Sequence, residues 1–216
     1  MGKVEIENLH LDPSQCALII VDMQNDFVSP GGFHHRQGKP VGQAQAIIPN
    51  IQTLIRELPG EARRIFIVTV REPDGSDSYW RFHKILPARV RRSGELERGD
   101  RNVLRGTWGA EVVDMLKPGP EDHVVIKRRH SAFYQTDLEA CLRWWGITTL
   151  IFTGVASEIC VQSTVRDAFN RDYDIVLVSD AVTSWNEHEH EATVRVIDES
   201  FGVALTMKEV QRIFDR

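Results

Sequence analysis

Three reactive side chains, Asp22, Lys127 and Cys160, lie at or just beyond the ends of short apolar runs in this sequence. Asp22 ends the run CALIIVD, Lys127 ends HVVIK, and Cys160 follows TLIFTGV near the start of a predicted helix. Ligands of open α/β sheets bind beyond the carboxyl ends of the strands, where these side chains can converge. A helix N-terminus and a lysine ammonium favour a thiolate, and a carboxylate can take the thiol proton and return it. The pattern therefore predicts a cysteine nucleophile with an acid–base partner.

Each of these residues also has an ordinary structural interpretation. Free cysteines are among the most often buried residues, an aspartate at a strand end often caps a loop, and a lysine there usually faces solvent. The coincidence of all three residue types at strand ends is what favours catalysis.

Six short runs rich in β-branched residues alternate with segments of helical spacing. The runs are CALIIVD (16–22), RIFIVTV (64–70), HVVIK (123–127), TLIFTGV (149–155), DIVLVSD (174–180) and GVALTM (202–207). Continuous apolar runs are typical of parallel strands covered on both faces. The alternation predicts one α/β domain over residues 1–216, with a three-layer, Rossmann-like, doubly wound, mostly parallel six-stranded sheet and helices on both faces.

One segment, at about residues 72–106, interrupts this alternation. It is polar, rich in turn residues and longer than an ordinary connection. We name it the arm, and we predict that it is a functional lid or an element of subunit assembly.

The composition restricts the class of protein. Hydrophobic residues make up 42% and charged residues 26% of the chain, and the net charge of −5 gives no electrostatic reason to expect a nucleic-acid partner. The chain has neither the apolar core of a signal peptide nor an apolar stretch of ~18 residues, so we expect a cytoplasmic protein with no membrane partner. The three cysteines lack CxxC spacing, which predicts reduced thiols.

The ordered motifs of the chain resemble those of the isochorismatase-like cysteine hydrolases. This superfamily includes nicotinamidases, N-carbamoylsarcosine amidohydrolases, ureidoacrylate amidohydrolases and biuret hydrolases. The motifs are ALIIVDMQNDF, REPDGSD, GTWGAE, IKRRHSAFYQTDLEACLRWWGI, TLIFTGVASEICVQSTVRDA and IVLVSDAVTSWNEHEHEA. The resemblance implies a catalytic triad of Asp22, Lys127 and Cys160. It also implies a non-proline cis peptide bond between Val155 and Ala156, an oxyanion hole formed by the N–H groups of Ala156 and Cys160, and a homo-oligomer, dimer or tetramer.

The same resemblance indicates a subclass. Isochorismatases that act on a vinyl ether lack the cysteine, so Cys160 implies hydrolysis of a small amide or N-carbamoyl (ureido) compound through a thioester, with release of ammonia or amine. Nicotinamidases carry a metal-binding DWHP-like stretch where this chain has VREPDGSD, and His188 and His190 diverge on a helix. We therefore expect no catalytic metal and no cofactor. The alternatives are a nicotinamidase-type amidase and a non-catalytic or redox member of the fold.

Seven further residues are candidates for substrate binding. They are Gln24, Asn25, Arg71, Trp108, Arg129, Phe133 and Val155. The two arginines can bind a substrate carboxylate, which with the basic arm would favour a ureido acid, or they can brace the arm or a subunit interface. The aromatic residues can wall the pocket or belong to the core. The two amides can orient Asp22 or satisfy backbone groups at the strand end.

Overall fold

The computed structural model describes residues 9–77 and 101–215. These residues form a parallel β-sheet of six strands. The strands are β1 (Cys16–Val21), β2 (Arg63–Thr69), β3 (His123–Lys127), β4 (Thr149–Gly154), β5 (Asp174–Val182) and β6 (Val203–Leu205). Their order in the sheet is β3-β2-β1-β4-β5-β6, and each neighbouring pair is parallel. The predicted doubly wound sheet is confirmed, and within the described residues it is entirely parallel.

Eight α-helices accompany this sheet in the described residues. They are α1 (Asn25–Val28), α2 (Phe33–Arg36), α3 (Gly42–Ala46), α4 (Ile48–Glu57), α5 (Leu138–Trp144), α6 (Gln162–Phe169), α7 (Glu187–Ser200) and α8 (Met207–Phe214). Short 3-10 turns occupy Pro13–Gln15, Trp108–Ala110 and Asp114–Leu116, and a π-helical turn, Ser157–Val161, leads into α6.

Local sequence signals mark several helix ends. Helix α8 begins with a capping box, in which the Thr206 side chain accepts from the Glu209 N–H and the Glu209 carboxylate accepts from the Thr206 N–H. Helix α7 begins at Asn186, whose side chain accepts from the N–H of Glu189. Helix α5 is followed by Gly146 at φ 67°, the left-handed conformation expected of a glycine cap.

Two hydrophobic cores form on opposite faces of the sheet. Helices α4 and α8 cover one face, where they pack against alternate strand residues such as Leu18 and Ile20. Helices α5, α6 and α7 cover the other face, where they pack against Ile19 and Ile67. Successive side chains of a strand point to opposite faces, so continuous apolar strands fill both cores. This arrangement confirms the three layers.

The sheet order brings the carboxyl ends of the four strands β1 to β4 to one edge. Val21 pairs with both Ile67 and Gly154, and Thr69 pairs with Lys127. Gly154 lies at φ 103°, and a Cβ there would lie 2.1 Å from the Val21 carbonyl oxygen, so only glycine fits where β4 closes on β1. Two of the predicted reactive residues lie at this edge: Asp22 directly follows β1, and Lys127 is the last residue of β3.

Ion pairs join the two described ends of the arm. The Glu72 carboxylate accepts hydrogen bonds from Arg105 at 2.8 and 3.0 Å and from Arg128 at 2.8 Å. These bonds, with Arg105 the larger cause, lower the pKa of Glu72 to about 2. Arg101 donates to the Glu72 carbonyl oxygen at 2.7 Å. The chain between them, residues 78–100, lies outside the described residues, and the role of the arm stays a prediction.

None of the helices in the described ranges combines the length and the apolar character that a membrane-spanning helix requires.

Candidate active site

Asp22 is the first residue after β1 and is almost completely buried. Its backbone lies at φ 52°, a left-handed conformation that aspartate and asparagine tolerate better than other non-glycine residues. The carboxylate accepts a hydrogen bond from Thr69 Oγ1 at 2.9 Å on Oδ1 and one from Lys127 Nζ at 2.8 Å on Oδ2. The turn thus directs the carboxylate across the ends of β2 and β3.

Lys127 ends β3 with its ammonium group inside the protein, where 1% of the residue is exposed. Its three N–H donors meet three acceptors: Asp22 Oδ2 at 2.8 Å, Thr69 Oγ1 at 2.6 Å and Cys160 Sγ at 3.3 Å. Burial by itself lowers the pKa of Lys127, but the negative charge of Asp22 and the sulfur of Cys160 raise it above its ordinary value. The side chain is therefore a permanent cation between the carboxylate and the thiol.

Cys160 lies in the π-helical turn that links β4 to α6. Its Sγ accepts a hydrogen bond from Lys127 and lies 3.7 Å from Nδ1 of His130. Burial, followed by the negative charge of Asp22, raises the pKa of the Cys160 thiol to about 12, although Lys127 acts in the opposite direction. Lys127 favours the thiolate, as expected, but burial and the charge of Asp22 outweigh it. The sulfur keeps its proton until a base removes it.

The turn before Cys160 contains the expected cis peptide bond between Val155 and Ala156. Val155 is buried, and its N–H donates to the Val21 carbonyl oxygen at 2.9 Å. The carbonyl oxygen of Ala156 accepts from Ile159 and Val161, both at 3.1 Å. These bonds attach the turn to β1 and to the helix that carries Cys160.

Residues 16–209 match the isochorismatase domain family, which is most of the chain. The chain belongs to the isochorismatase family. It is 34% identical over 206 residues to the ureidoacrylate amidohydrolase RutB of Methylobacterium radiotolerans, a match that covers 91% of this chain and 78% of that protein. These similarities identify the chain as a hydrolase. They confirm the resemblance to the isochorismatase-like superfamily that the sequence motifs indicated.

Solved structures give the same result. A cysteine hydrolase from Pseudomonas syringae superposes with a TM-score of 0.81 at 25% identity, over 96% of each chain. An isochorismatase family protein from Desulfovibrio vulgaris superposes with a TM-score of 0.79 at 29% identity, over 94% of this chain and 99% of the other. The family fold therefore extends over nearly the whole sequence.

Two residues that the sequence analysis did not single out also contact the three reactive side chains. Thr69 donates to Asp22 and accepts from Lys127 through the same hydroxyl group. The imidazole Nδ1 of His130 lies 3.7 Å from Cys160 Sγ. The sequence could have indicated Thr69, because a threonine stands near the end of the buried run RIFIVTV. His130 lies in a loop, where no periodic pattern could have indicated it.

The side-chain amides of Gln24 and Asn25 donate to backbone carbonyl oxygens. Gln24 donates to the carbonyl oxygens of Thr69 and Ala110 at 2.8 and 2.7 Å, and it accepts from the Thr69 N–H at 2.8 Å. Asn25 donates to the Trp108 carbonyl oxygen at 2.9 Å and accepts from the Ser29 hydroxyl group at 2.8 Å. Of the two interpretations offered for these amides, the geometry agrees with the one in which they satisfy the backbone.

The candidate arginines contact protein groups around the arm. Arg71 donates from Nε to Asn102 Oδ1 at 2.7 Å, and Arg129 donates to the carbonyl oxygens of Asp77 and Arg128 at 3.1 and 2.9 Å. Burial lowers the pKa of Arg129 below its ordinary value. These contacts agree with the bracing interpretation and give the carboxylate-binding one no support of their own.

The two candidate aromatic residues lie in different surroundings. Phe133 is buried in the core on the face of α5, 5.9 Å from the ring centroid of Tyr173 and 4.9 Å from the Arg171 guanidinium. Of the two interpretations offered for the aromatic residues, the position of Phe133 agrees with the one in which it belongs to the core. Trp108 is 50% exposed.

The two histidines of EHEHEA have separate surroundings, as their spacing predicted. His188 is exposed, whereas His190 Nδ1 lies 3.2 Å from Ser157 Oγ and burial lowers the pKa of His190.

Proposed function

We propose that the protein is a cysteine-dependent amidohydrolase that cleaves the C–N bond of a small amide or N-carbamoyl (ureido) compound. The observation that carries the proposal is the buried contact of Lys127 with both Asp22 and Cys160, at 2.8 and 3.3 Å. A thiol, a carboxylate and an ammonium group in contact supply a nucleophile, a proton acceptor and a compensating charge. In this proposal these three residues are the catalytic triad.

In the first step the Asp22 carboxylate takes the proton of the Cys160 thiol while Sγ bonds to the substrate carbonyl carbon. Because burial raises the pKa of the thiol, a proton transfer that accompanies the attack is favoured over one that precedes it. The carbonyl π electrons move to oxygen and form a tetrahedral oxyanion. Lys127 keeps its proton and stabilises the sulfur as negative charge develops.

The oxyanion is held by backbone N–H groups of the turn before α6. In this proposal Ala156 and Cys160 supply the two donors, as in the family that the sequence resembles. Pre-oriented donors of this kind contribute about 3 kcal/mol each to the lowering of the barrier.

In the second step the oxyanion re-forms the carbonyl group, and the C–N bond breaks. The departing nitrogen takes the proton from Asp22 and leaves as ammonia or amine, so that Cys160 carries a thioester. Asp22 then takes a proton from water, whose oxygen attacks the thioester carbonyl group. The C–S bond breaks, and Sγ recovers its proton from Asp22. The sum is amide plus water giving acid plus ammonia or amine.

A ureido compound is the substrate class that the comparisons favour. The relative from Methylobacterium radiotolerans, at 34% identity, carries the name ureidoacrylate amidohydrolase. A ureido group is planar and places one carbonyl carbon between two nitrogen leaving groups, which suits the chemistry above. As part of the proposal, the enzyme is a cytoplasmic homo-oligomer, dimer or tetramer, with a small-molecule substrate and no nucleic-acid or membrane partner.

The test is an ammonia- and amine-release screen over ureido acids, biuret, carbamoyl amino acids and nicotinamide. The wild-type protein should hydrolyse at least one ureido compound, and Cys160→Ser should not. Preference for nicotinamide would support the nicotinamidase alternative. Absence of all turnover, together with oxidant-sensitive modification of Cys160, would support the redox alternative and contradict the proposal.

The two arginines separate acid from neutral substrates in the same assay. If Arg71 or Arg129 binds a substrate carboxylate, its replacement by alanine raises KM for a carboxylated ureide far more than for a neutral one. Equal losses for both substrates would assign the arginines to bracing alone. Full activity of a monomer in sedimentation would contradict the proposal that the enzyme works as a homo-oligomer.

A further inference from the structure

A second cluster of basic, acidic and thiol groups lies at the opposite end of β3. His123 is the first residue of that strand, whereas Lys127 is the last. Four residue steps along a strand correspond to about 13 Å, so this cluster is separate from the candidate active site. Asp137 and Cys141, at the start of α5, face the histidine. Among the described residues this is the one group of three metal-binding side chains whose ligand atoms lie close together.

The separations of these ligand atoms suit one tetrahedral ion. His123 Nε2 lies 3.5 Å from Cys141 Sγ and 3.5 Å from Asp137 Oδ2, and all three ligand atoms lie within 4.8 Å of one another. Bond lengths of about 2.3 Å for Zn–S and 2.0–2.2 Å for Zn–N and Zn–O put tetrahedral ligands about 3.3–3.6 Å apart. Two of the three pairs already have this separation, and a rotamer adjustment of an exposed carboxylate can close the third.

Two elements hold the ligands in place. Asp137 and Cys141 are four residues apart, so both project from the same side of the first turn of α5. The His123 ring packs at 80° against the Trp145 ring, with 5.3 Å between centroids, and this contact limits its rotation. The site therefore needs no rearrangement of the backbone.

The donor set indicates the type of ion. A thiolate, an imidazole and a carboxylate together favour zinc among the divalent ions, and the hard cations Mg²⁺ and Ca²⁺ prefer oxygen ligands alone. The side chains of His123 and Asp137 are 30% and 61% exposed, so an ion can enter and a water molecule can complete the tetrahedron.

We propose that His123 Nε2, an Asp137 carboxylate oxygen and Cys141 Sγ bind one Zn²⁺ ion, with water as the fourth ligand. The Cys141 thiol loses its proton to solvent as the S–Zn bond forms, and no electron is transferred. The ion connects the first residue of the edge strand β3 to the first turn of α5. Its role is structural, and it takes no part in the chemistry at Cys160.

Cobalt(II) titration tests this proposal, because thiolate coordination gives a sulfur-to-cobalt charge-transfer absorption. The titration uses the Cys160→Ser variant, so that Cys141 is the accessible thiol that can bind cobalt. Cys16 is fully buried. We expect one Co²⁺ ion per chain, a charge-transfer band, and displacement of the cobalt by Zn²⁺. Cys160→Ser/Cys141→Ser should lose the band. Adding His123→Ala to Cys160→Ser should weaken Zn²⁺ binding at least about tenfold.

His188→Ala, at an exposed histidine outside the cluster, is the matched control and should leave binding unchanged. Zn²⁺ should also raise Tm by several degrees in Cys160→Ser and not in Cys160→Ser/His123→Ala, because an ion bound to the folded state stabilises it. Circular dichroism without metal checks that each variant is folded. A missing band at saturating Co²⁺, or a band that persists without Cys141, would overturn the proposal. Neither result depends on whether Cys160 is a hydrolytic nucleophile.

Discussion

The two ends of β3 carry similar sets of side chains in different environments. At the carboxyl end Lys127 contacts the Asp22 carboxylate and the thiol of Cys160, and it is almost completely buried. At the amino end His123 contacts the carboxylate of Asp137 and the thiol of Cys141, and it is partly exposed. Each end therefore combines one nitrogen-bearing side chain, one carboxylate and one thiol.

The type of nitrogen group and its burial separate the two sites chemically. An ammonium group has no lone pair and repels a metal cation, so the buried end is suited to compensating negative charge during proton transfer. A neutral imidazole offers a lone pair and is a common metal ligand, so the exposed end is suited to binding an ion. The comparison teaches that a nitrogen group, a carboxylate and a thiol are suited to different chemistry according to their burial and the type of nitrogen group.

The largest expected effect comes from removing the sulfur at the buried end. Cys160→Ser should lower kcat/KM at least ~10³-fold and leave Tm and the oligomeric state unchanged, because serine keeps the packing and loses the nucleophile. Cys141→Ser, at the other end of β3, is the matched control and should retain activity. More than about a tenth of wild-type turnover in Cys160→Ser would contradict the thioester mechanism.

Next in size is removal of the buried cation. Lys127→Met keeps most of the side-chain volume but leaves the Asp22 carboxylate buried without its partner, which should lower the free energy of unfolding by about 3–5 kcal/mol. Denaturant titration measures this loss, and the double variant Asp22→Asn/Lys127→Met should be more stable than Lys127→Met. His123→Ala, at the exposed end, should cost far less. A loss below about 1 kcal/mol in Lys127→Met would contradict the buried pair.

Thr69 should have a smaller effect on turnover. Thr69→Val keeps the shape of the side chain and removes the hydroxyl group that bonds to both Asp22 and Lys127. We expect kcat to fall about 10–100-fold with little change in KM, because the two charged groups lose their alignment. Thr69→Ser should restore most of the rate. If Thr69→Val raises KM instead, or if Thr69→Ser is as slow as Thr69→Val, Thr69 has a role in binding or packing.

The alkylation rate of Cys160 should follow its raised pKa. Because only the thiolate reacts, labelling by iodoacetamide should rise roughly tenfold per pH unit between about pH 7 and 10, without a plateau. Asp22→Asn removes the negative charge that helps to raise this pKa and should speed labelling at fixed pH. Mass spectrometry of the labelled peptides gives the rates. A plateau below about pH 8 would show that Lys127 outweighs burial and Asp22.

The smallest expected effect is that of chelation on activity. Dialysis against EDTA should leave kcat/KM unchanged, because the Lys127 ammonium occupies Asp22 Oδ2 and repels a cation there. Any effect should appear in Tm, through the separate cluster at His123. Loss of activity that zinc, manganese or iron restores would contradict this and support the nicotinamidase alternative.

The sequence alone determined the layers of the fold and the positions of the three reactive residues. Continuous apolar runs predict buried parallel strands, and parallel strands end at one edge, so Asp22 and Lys127 could be placed together without coordinates. The six ordered motifs carried the resemblance to the family, and that resemblance implied the cis peptide bond between Val155 and Ala156.

Only the tertiary structure decided which groups those residues contact. The Thr69 hydroxyl group reaches Asp22 because the register of β2 against β1 and β3 places it there, and no local pattern encodes a register between distant strands. Phe133 lies in the core because Tyr173 and Arg171, about forty residues further along the chain, pack against it. The resting protonation state of Cys160 depends on burial and on the charge of Asp22, both of which arise when segments far apart in the chain pack together.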